Sequence, residues 1–514
     1  MNLFKTILLA AALLGAAALL PAGSMKPIHT DDFSTSNRGR WTMIPGAAWQ
    51  EPGILEVNVP QENGGTHHKV TAPIDLSACR GQLLTFTIEA KADNITQPPN
   101  RWNGIKFMLS YDSPSIGKNY HHPIEQFGTF DWKELVFTAT VPDDITEGTL
   151  SLGLEESFGK VQFRNLKIYA FDRTQPEMTA EYSDAVRTQP ALRGVMSPDR
   201  FRPGDFEELG SWGVNLIRWQ FVRNWGKAGT DRNLAEYTRW IDAKLDELDL
   251  VLAAAERNRL KVIIDLHSPP GGRYPRSGNK DMLMFYDRRY AECFVELWRR
   301  IAERFKDRPA VWGYDLVNEP MQSRPTEFGY WELQFEAARA IRQIDPERPI
   351  IIESNNWCQP DGFYYLKPLP LRNIIYQVHV YNPGAYTHQF VHNDWGAAGG
   401  AELIPYPGMI SGTRYDRETL RRILKPVRDF QQRHGARIYV GEFSAVRWAP
   451  GAERYLEDCI SLFEEYGWDW TYHAFREWNG WSVEHTENPQ DNEPAQTDTA
   501  RKKVLLKYFR RNNR

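Results

Sequence analysis

Two different patterns of apolar and polar residues divide the chain into an amino-terminal and a carboxy-terminal part. From about residue 28 to 172, short runs alternate apolar and polar residues and are separated by Gly, Pro, Asn and Asp. Such alternation, broken by turn residues, is typical of antiparallel strands with one buried face. This part is therefore predicted to be an antiparallel β-sandwich. The clearest runs are Leu83–Ile88, Glu134–Ala139 and Val161–Ile168.

From about residue 190 onward, short apolar runs alternate with longer amphipathic segments, which is the pattern of repeated βα units around a parallel sheet. One amphipathic segment, Asp281–Phe305, is predicted to be a helix because its apolar residues fall on one face. Eight such units predict a (β/α)8 barrel, so the fold class is α/β with an amino-terminal all-β domain. The strands are predicted at Leu192–Met196, Val214–Gln220, Lys261–His267, Val311–Asn318, Pro349–Ser354, Ile374–Tyr381, Arg437–Phe443 and Asp469–Phe475.

These patterns predict four segments. Residues 1–24 are predicted to be a signal peptide, because Lys5 precedes an apolar run that ends before small residues at 22–24. The sandwich is predicted at 25–173, a polar linker without periodicity at 174–190, and the barrel at 191–514. A cleaved leader predicts a secreted or periplasmic protein, with an uncleaved anchor as the alternative. We expect no membrane span after its removal, since no other run approaches about 20 apolar residues.

Composition excludes several classes of function. A net charge of -4 without a long basic run gives no electrostatic footprint for nucleic acid or an anionic membrane. The four cysteines lack the spacing of zinc or redox motifs, and His267, His379 and His473 lack the close pairing of zinc ligands. The chain also has no Gly-x-Ser-x-Gly elbow and no phosphate-binding loop. No metal or cofactor is expected, and we expect a monomer.

Polar and aromatic residues cluster where the predicted strands end, and the carboxyl ends of the strands carry the active site in barrels of this type. Glu319 follows strand four and Glu442 lies in strand seven, so the two carboxyls should face each other across the barrel mouth. Glycosidic hydrolysis needs such a pair, with one carboxyl protonated and the other ionised. The remaining residues of this cluster are Arg218, His267, Asn318, His379, Tyr381 and Trp478.

The stretch Tyr314–Pro320 (YDLVNEP), followed by Ile438–Phe443 (IYVGEF), resembles glycoside hydrolase family 5, a cellulase-type group of retaining enzymes. The resemblance covers roughly residues 190 to 514. It implies that Glu319 is the general acid/base and Glu442 the nucleophile. The implied reaction is double displacement through a covalent glycosyl-enzyme on a β-linked glucan, mannan or related oligosaccharide or polysaccharide.

The resemblance also implies roles for the surrounding polar residues. Asn318 would bind the 2-hydroxyl of the sugar in the catalytic subsite. Arg218 and Tyr381 would keep Glu442 ionised by charge and hydrogen bonding. His267 and His379 would line the same subsite and orient the carboxylates or the sugar.

Strand eight departs from the pattern that the resemblance implies. The family usually places at its end a tryptophan that forms the floor of the subsite, and here Trp478 or Trp481 would supply it. Glu477 is a third carboxylate beside them. It is a candidate substrate contact, and the alternative is a solvated or Arg-paired loop residue.

The amino-terminal part resembles the jelly-roll carbohydrate-binding modules that accompany glycoside hydrolases, chiefly through the stretch around Trp132. Trp102, Tyr111 and Tyr120 are candidates for a sugar-stacking platform, whereas Trp132 is predicted to lie in the core. The sandwich would either bind sugar or pack on the barrel and shape its cleft. Two rival functions for the whole chain stay open: a non-catalytic carbohydrate-binding surface protein, and a transglycosylase that uses the same site.

Overall fold

The computed structural model describes most of the chain. The predicted signal peptide, and the predicted linker apart from residues 188–190, lie outside the described residues and stay predictions. No helix in the described part is long and apolar enough to cross a bilayer. The described residues are 25–63, 67–114, 117–171, 188–224, 227, 229–273, 281–324, 326, 328–391, 402–410 and 412–512.

The part before residue 172 consists mainly of strands. Its elements are β1 (Met25–Asp31), α1 (Thr35–Arg38), β2 (Ala47–Gln50), β3 (Ile54–Val59), β4 (His67–Asp75), β5 (Leu83–Ile95), β6 (Gly104–Ser113), β7 (Gly117–His121), β8 (Gly128–Thr140), β9 (Glu147–Glu155) and β10 (Gly159–Phe171).

These strands form two antiparallel sheets that enclose a common core. One sheet has the order β2-β3-β10-β5-β8, with β1 also paired to β10, and the other has the order β4-β9-β6-β7. Alternate residues of both sheets point inward, and the ring of Phe137 stacks on Phe86 at 4.6 Å and meets Phe107 edge-on at 4.8 Å. The predicted antiparallel sandwich is confirmed, and its three quoted runs lie within β5, β8 and β10.

The aromatic residues of the sandwich differ from the sequence expectations. Trp132 is half-buried beneath the guanidinium of Arg164, 4.1 Å from its ring, so its placement in the core was wrong. Tyr111 is buried in the core and donates a hydrogen bond to a backbone carbonyl. Only Trp102 and Tyr120 of the suggested platform are exposed, at 40% and 59%. The three side chains therefore do not form one stacking surface.

The second part alternates strands with helices. Its elements are β11 (Arg193–Met196), α2 (Pro203–Trp212), β12 (Leu216–Gln220), α3 (Leu234–Arg257), β13 (Lys261–Asp265), α4 (Arg288–Phe305), β14 (Val311–Asp315), α5 (Tyr330–Arg342), β15 (Ile350–Glu353), β16 (Ile374–Val380), α6 (Gly384–Thr387), β17 (Gly408–Ile410), β18 (Thr413–Tyr415), α7 (Arg417–Ile423), α8 (Lys425–His434), β19 (Arg437–Phe443), α9 (Ala452–Tyr466), β20 (Asp469–Tyr472) and α10 (Ala500–Phe509).

Eight parallel strands close into a barrel in the order β11-β12-β13-β14-β15-β16-β19-β20, which confirms the predicted (β/α)8 fold. Each strand lies within its predicted run. The helix predicted from Asp281 begins only at Arg288. Asp287 has an extended backbone conformation and caps the helix by accepting from the backbone amide of Arg289.

The interior of the barrel changes from apolar to polar along the strands. Successive residues of a strand point to opposite faces, so every second residue faces inward. Near the amino ends, the inward residues include Leu216, Ile263 and Ile351, which pack into one apolar cluster. Two residues further along the same strands, the inward positions carry ionisable side chains. These are Arg218, Asp265 and Glu353, all fully buried.

The sandwich contacts the barrel through the outward face of its six-stranded sheet. Thr85 lies on this face, since its neighbours Leu84 and Phe86 point into the sandwich core, yet it is completely buried. Its hydroxyl donates to the carbonyl oxygen of Ser323 at 2.6 Å. Nearby, Glu134 forms an ion pair with Arg324 at 2.6 Å. Both barrel residues belong to the loop that follows β14.

Candidate active site

Arg218 is the centre of a buried network at the carboxyl end of the barrel. Burial alone would lower its pKa, but the surrounding carboxylates outweigh this effect and raise the pKa of Arg218 well above its usual value. The guanidinium is therefore a permanent cation, and its N–H groups point to partners on several strands. Its partners are Glu442 (2.7 Å), Asp315 (2.8 Å), Asn318 (2.9 Å), Glu353 (3.0 Å) and Asp265 (3.2 Å).

Glu442 reaches this network because the pairing of β19 with β16 is irregular. The register skips Gly441, so that His379 lies opposite Glu442. An extra residue in one strand turns the following side chain to the other face. A Cβ atom at Gly441 would lie 2.5 Å from the side chain of Gln377, so the absence of a side chain makes room for this buried amide. Glu442 consequently points inward beside His379.

Both carboxylate oxygens of Glu442 accept hydrogen bonds. Arg218 donates to Oε1 at 2.7 Å, and the Tyr381 hydroxyl donates to Oε2 at 2.9 Å. Burial alone would raise the pKa of Glu442, but the electrostatic effect of His379, His473 and Arg218 holds that pKa well below its usual range. Glu442 is therefore an anion at neutral pH.

Two neighbouring carboxyls have the opposite shift. Burial raises the pKa of Asp315 to about 6. Burial, together with the proximity of Asp315, raises the pKa of Glu353 well above its usual value. Of the three carboxyls Asp315, Glu353 and Glu442, Glu442 is thus the one whose environment favours the ionised form most strongly. An ionised carboxylate fixed in this way can act as a nucleophile.

Glu319 stands opposite Glu442 on the loop after β14. Its backbone φ of +51° lies in the left-handed region, which is uncommon for a residue with a side chain. The conformation is held by the backbone amide of Glu319, which donates to Glu353 Oε2 at 2.6 Å. His379 Nδ1 lies 3.2 Å from Glu319 Oε1, and the Glu319 side chain remains 24% exposed. Solvent or a substrate can therefore reach this carboxyl.

The two carboxyls are close enough to act on one substrate atom together. One oxygen of Glu319, one of Glu442 and one ring nitrogen of His379 all lie within 4.8 Å of one another. Such a set could hold a divalent cation, but both oxygens of Glu442 already accept hydrogen bonds from the protein. The spacing is shorter than the about 6.5 to 9.5 Å at which a water molecule fits between the two carboxyls. It is closer to the about 5 to 5.5 Å of a pair in which one carboxylate attacks an acetal carbon and the other transfers a proton.

Two further predicted residues, His267 and Asn318, are hydrogen-bonded to each other beside Arg218. Asn318 Oδ1 accepts from Arg218, which fixes the amide so that Nδ2 is the donor toward His267 Nε2 at 3.2 Å. His267 Nδ1 then donates to Asp265 at 2.9 Å. The structure thus brings together Arg218, His267, Asn318, Glu319, His379, Tyr381 and Glu442, as the sequence predicted.

The residues after β20 are arranged differently from the expectation. Trp481 is buried and its ring lies 6.1 Å from Tyr381 and 5.6 Å from His473. Trp478 is 41% exposed and contacts Trp481 from the outer side. Of the two tryptophans, Trp481 is the one that contacts the site. His473 occupies the end of strand eight, where the resemblance implied a tryptophan.

Glu477 is not solvated, and it is not paired with an arginine of the described residues, so that alternative was wrong. Its side chain is 5% exposed and accepts from His473 at 3.1 Å and from Gln220 at 3.1 Å. Sequence reasoning did not predict that His473 contacts the site. It also did not predict the buried carboxyls Asp265, Asp315 and Glu353. Asp265 and Glu353 each end a strand in an inward position. The alternation of inward and outward residues along these strands was the signal that could have identified them.

The substitution Arg218→Lys is expected to lower the free energy of unfolding by about 3 kcal/mol, because one ammonium group cannot replace a five-donor fork among buried acceptors. Urea unfolding followed by circular dichroism measures this change. Arg300→Lys is the matched control, since Arg300 pairs with Asp242 on the surface and exposed pairs contribute little. Equal stability of the two variants would contradict the central role of Arg218.

Comparisons with known proteins identify relatives of the barrel part of the chain. Residues 199–479, more than half of the chain, match the profile described as cellulase, glycosyl hydrolase family 5. Endoglucanase C of Acetivibrio thermocellus is 29% identical over 292 residues, which span 52% of this chain and 82% of the relative. Cellodextrinase A of Ruminococcus flavefaciens is 23% identical over 251 residues, 48% of this chain and 69% of the relative. Among solved structures, Thermotoga maritima Cel5A in complex with cellobiose is 22% identical, with a TM-score of 0.47 and coverage of 63% of this chain and 98% of that one.

Proposed function

The chain belongs to glycosyl hydrolase family 5, and from this premise we propose that it cleaves β-linked glucan chains with retention of anomeric configuration. It is an O-glycosyl hydrolase that acts on β-glycosides. Glucan as the substrate is supported by the similarity to an endoglucanase and a cellodextrinase. The distance of at most 4.8 Å between an oxygen of Glu319 and one of Glu442 carries the proposal of retention.

In the first step of the proposed mechanism, Glu442 attacks the anomeric carbon. Its oxygens are oriented by Arg218 and Tyr381, and its depressed pKa keeps it ionised. Glu319 protonates the departing glycosidic oxygen, so the C–O bond breaks as the covalent ester forms. Asn318, fixed by Arg218, is placed to donate to the sugar 2-hydroxyl, a bond that strengthens in the transition state.

In the second step, Glu319 removes a proton from water, which attacks the anomeric carbon and displaces Glu442. Two inversions give net retention. The contact with His379 orients the Glu319 carboxyl for both transfers. No cofactor enters this scheme, because the acid, the base and the nucleophile are all side chains of the chain itself.

The test is a substrate panel with a stereochemical measurement. The purified protein is incubated with β-glucan, β-mannan and xylan oligosaccharides, and the anomer released first is identified by proton NMR. We expect turnover of β-glucan with initial release of the β-anomer. Initial release of the α-anomer would refute retention. Turnover of mannan or xylan alone would refute β-glucan as the substrate.

Two controls separate the rival functions. Glu442→Ala prepared in parallel shows whether a contaminating glycosidase produces the sugar. Addition of an acceptor oligosaccharide distinguishes hydrolysis from transglycosylation, because a transglycosylase would form longer products in preference to reducing sugar. Sugar binding without any turnover would favour a non-catalytic recognition protein.

A further inference from the structure

His473 lies directly after β20 and contacts both the phenol of Tyr381 and the carboxylate of Glu477. Its Nδ1 atom is 2.7 Å from the Tyr381 hydroxyl oxygen, and its Nε2 atom is 3.1 Å from Glu477 Oε2. The ring is largely buried, as is the Glu477 side chain. Both contacts are therefore shielded from water.

The direction of each hydrogen bond follows from the partners. The ionised carboxylate of Glu442 can only accept, so the single hydroxyl hydrogen of Tyr381 points to it. The Tyr381 oxygen must then accept the hydrogen bond from His473 Nδ1. Glu477 also accepts, so Nε2 carries a hydrogen as well. A ring that donates from both nitrogens is an imidazolium.

We propose that His473 is a positioning residue, held as an imidazolium by Glu477, that keeps the Tyr381 hydroxyl hydrogen directed at Glu442. The inference rests on the proposed role of Glu442 as nucleophile. His473 acts through Tyr381 and does not touch the reacting atoms. A chain of hydrogen bonds thus runs from Glu477 through His473 and Tyr381 to the nucleophile, and Glu477 is the counter-ion of the imidazolium.

The charged groups that face His473 agree with this state. Burial and Arg218 lower its pKa, but Glu477 and Glu442 outweigh them and raise the pKa of His473 to about 9. The pKa of Tyr381 is raised well above its usual value by burial and Glu442, so the phenol stays protonated over the same range. His388 contacts the Tyr381 ring at 4.9 Å but lies outside the chain of hydrogen bonds.

The arrangement predicts loss of function at alkaline pH. The raised pKa means that the imidazolium is complete below neutrality and disappears as the pH rises through about 9. The ring then keeps its Nε2 hydrogen on Glu477, and the free Nδ1 lone pair competes for the Tyr381 hydrogen. Glu442 loses that hydrogen bond and the orientation it gives to the carboxylate, and its attack slows.

The experiment isolates the attack of Glu442 from proton donation by Glu319. A 2-deoxy-2-fluoro-β-cellobioside with a dinitrophenolate leaving group traps the nucleophile without needing an acid. We expect the wild-type trapping rate to fall above about pH 9, and in Glu477→Gln to fall about one pH unit lower or more, since the neutral amide no longer stabilises the imidazolium. In His473→Asn, whose amide donates without titrating, the alkaline fall should disappear.

Glu484→Gln is the matched control, because Glu484 lies on the same loop but pairs with Arg476. Its trapping profile should match that of the wild type. Identical profiles for Glu477→Gln and the wild type would overturn the inference. Direct titration of the His473 ring nitrogens by NMR needs no activity. If the wild type is not trapped, the proposed function fails, and an unchanged titration midpoint in Glu477→Gln would separately refute the role of Glu477 in holding the imidazolium.

Discussion

Glu442→Ala is expected to lower kcat on a β-glucan oligosaccharide by about five orders of magnitude, which corresponds to about 7 kcal/mol of transition-state stabilisation. The variant removes the attacking oxygen and leaves Arg218 and Tyr381 without their shared acceptor. Initial rates of reducing-sugar release measure the loss. Circular dichroism shows whether the variant is folded, and Glu484→Gln should retain activity.

The missing carboxylate also leaves room for a small anion. Azide added to Glu442→Ala should restore cleavage of an activated aryl β-glucoside, because azide attacks from the face that Glu442 occupied. The product should then be the α-glycosyl azide. A variant that keeps more than about a tenth of the activity would contradict the nucleophile assignment, since such losses are normally far larger.

Glu319→Ala is expected to produce a loss that depends on the leaving group. General acid catalysis contributes about 10²- to 10⁴-fold, and we expect the upper end for unactivated oligosaccharides. A dinitrophenyl glucoside needs no proton, so its first step should proceed and a burst of dinitrophenol should precede slow turnover. Stopped-flow absorbance resolves the burst from the steady state.

With azide, Glu319→Ala should form the opposite anomer of the glycosyl azide from that formed by Glu442→Ala. Azide attacks the covalent intermediate without base assistance, and the product should be the β-glycosyl azide. Opposite anomers from the two variants would assign the roles of the two glutamates independently of rate. The same leaving-group dependence in the wild type and in Glu319→Ala would contradict its role as the acid.

The eight barrel strands could be predicted because their apolar runs are short and are separated by long amphipathic segments. The predicted runs extended past several strands, as at Val311–Asn318, because the polar residues after a strand still face the barrel mouth. The start of α4 was missed by seven residues. Residues 283–285 form a 3-10 turn, and that turn has the same apolar character as the helix that follows.

The paired glutamates and their neighbours could be predicted because strand ends converge on one rim. The buried carboxyls that support these residues could not be predicted in the same way. Glu353 appears in sequence as the last residue of an apolar run, and only the inward parity of β15 places it beneath Glu319. The loop after β20 has no periodic pattern, so the choice between Trp478 and Trp481 depends on the tertiary structure.

The contact between Thr85 and Ser323 limits how this chain could be recombined with others. A foreign sandwich that lacks a hydroxyl at this depth would leave the Ser323 carbonyl buried without its donor, at a cost of about 1 to 3 kcal/mol. It would also lose the ion pair with Arg324 unless it carried a carboxylate at the position of Glu134. Shuffling at the segment between the two parts would thus keep these contacts only if the incoming sandwich carried both groups.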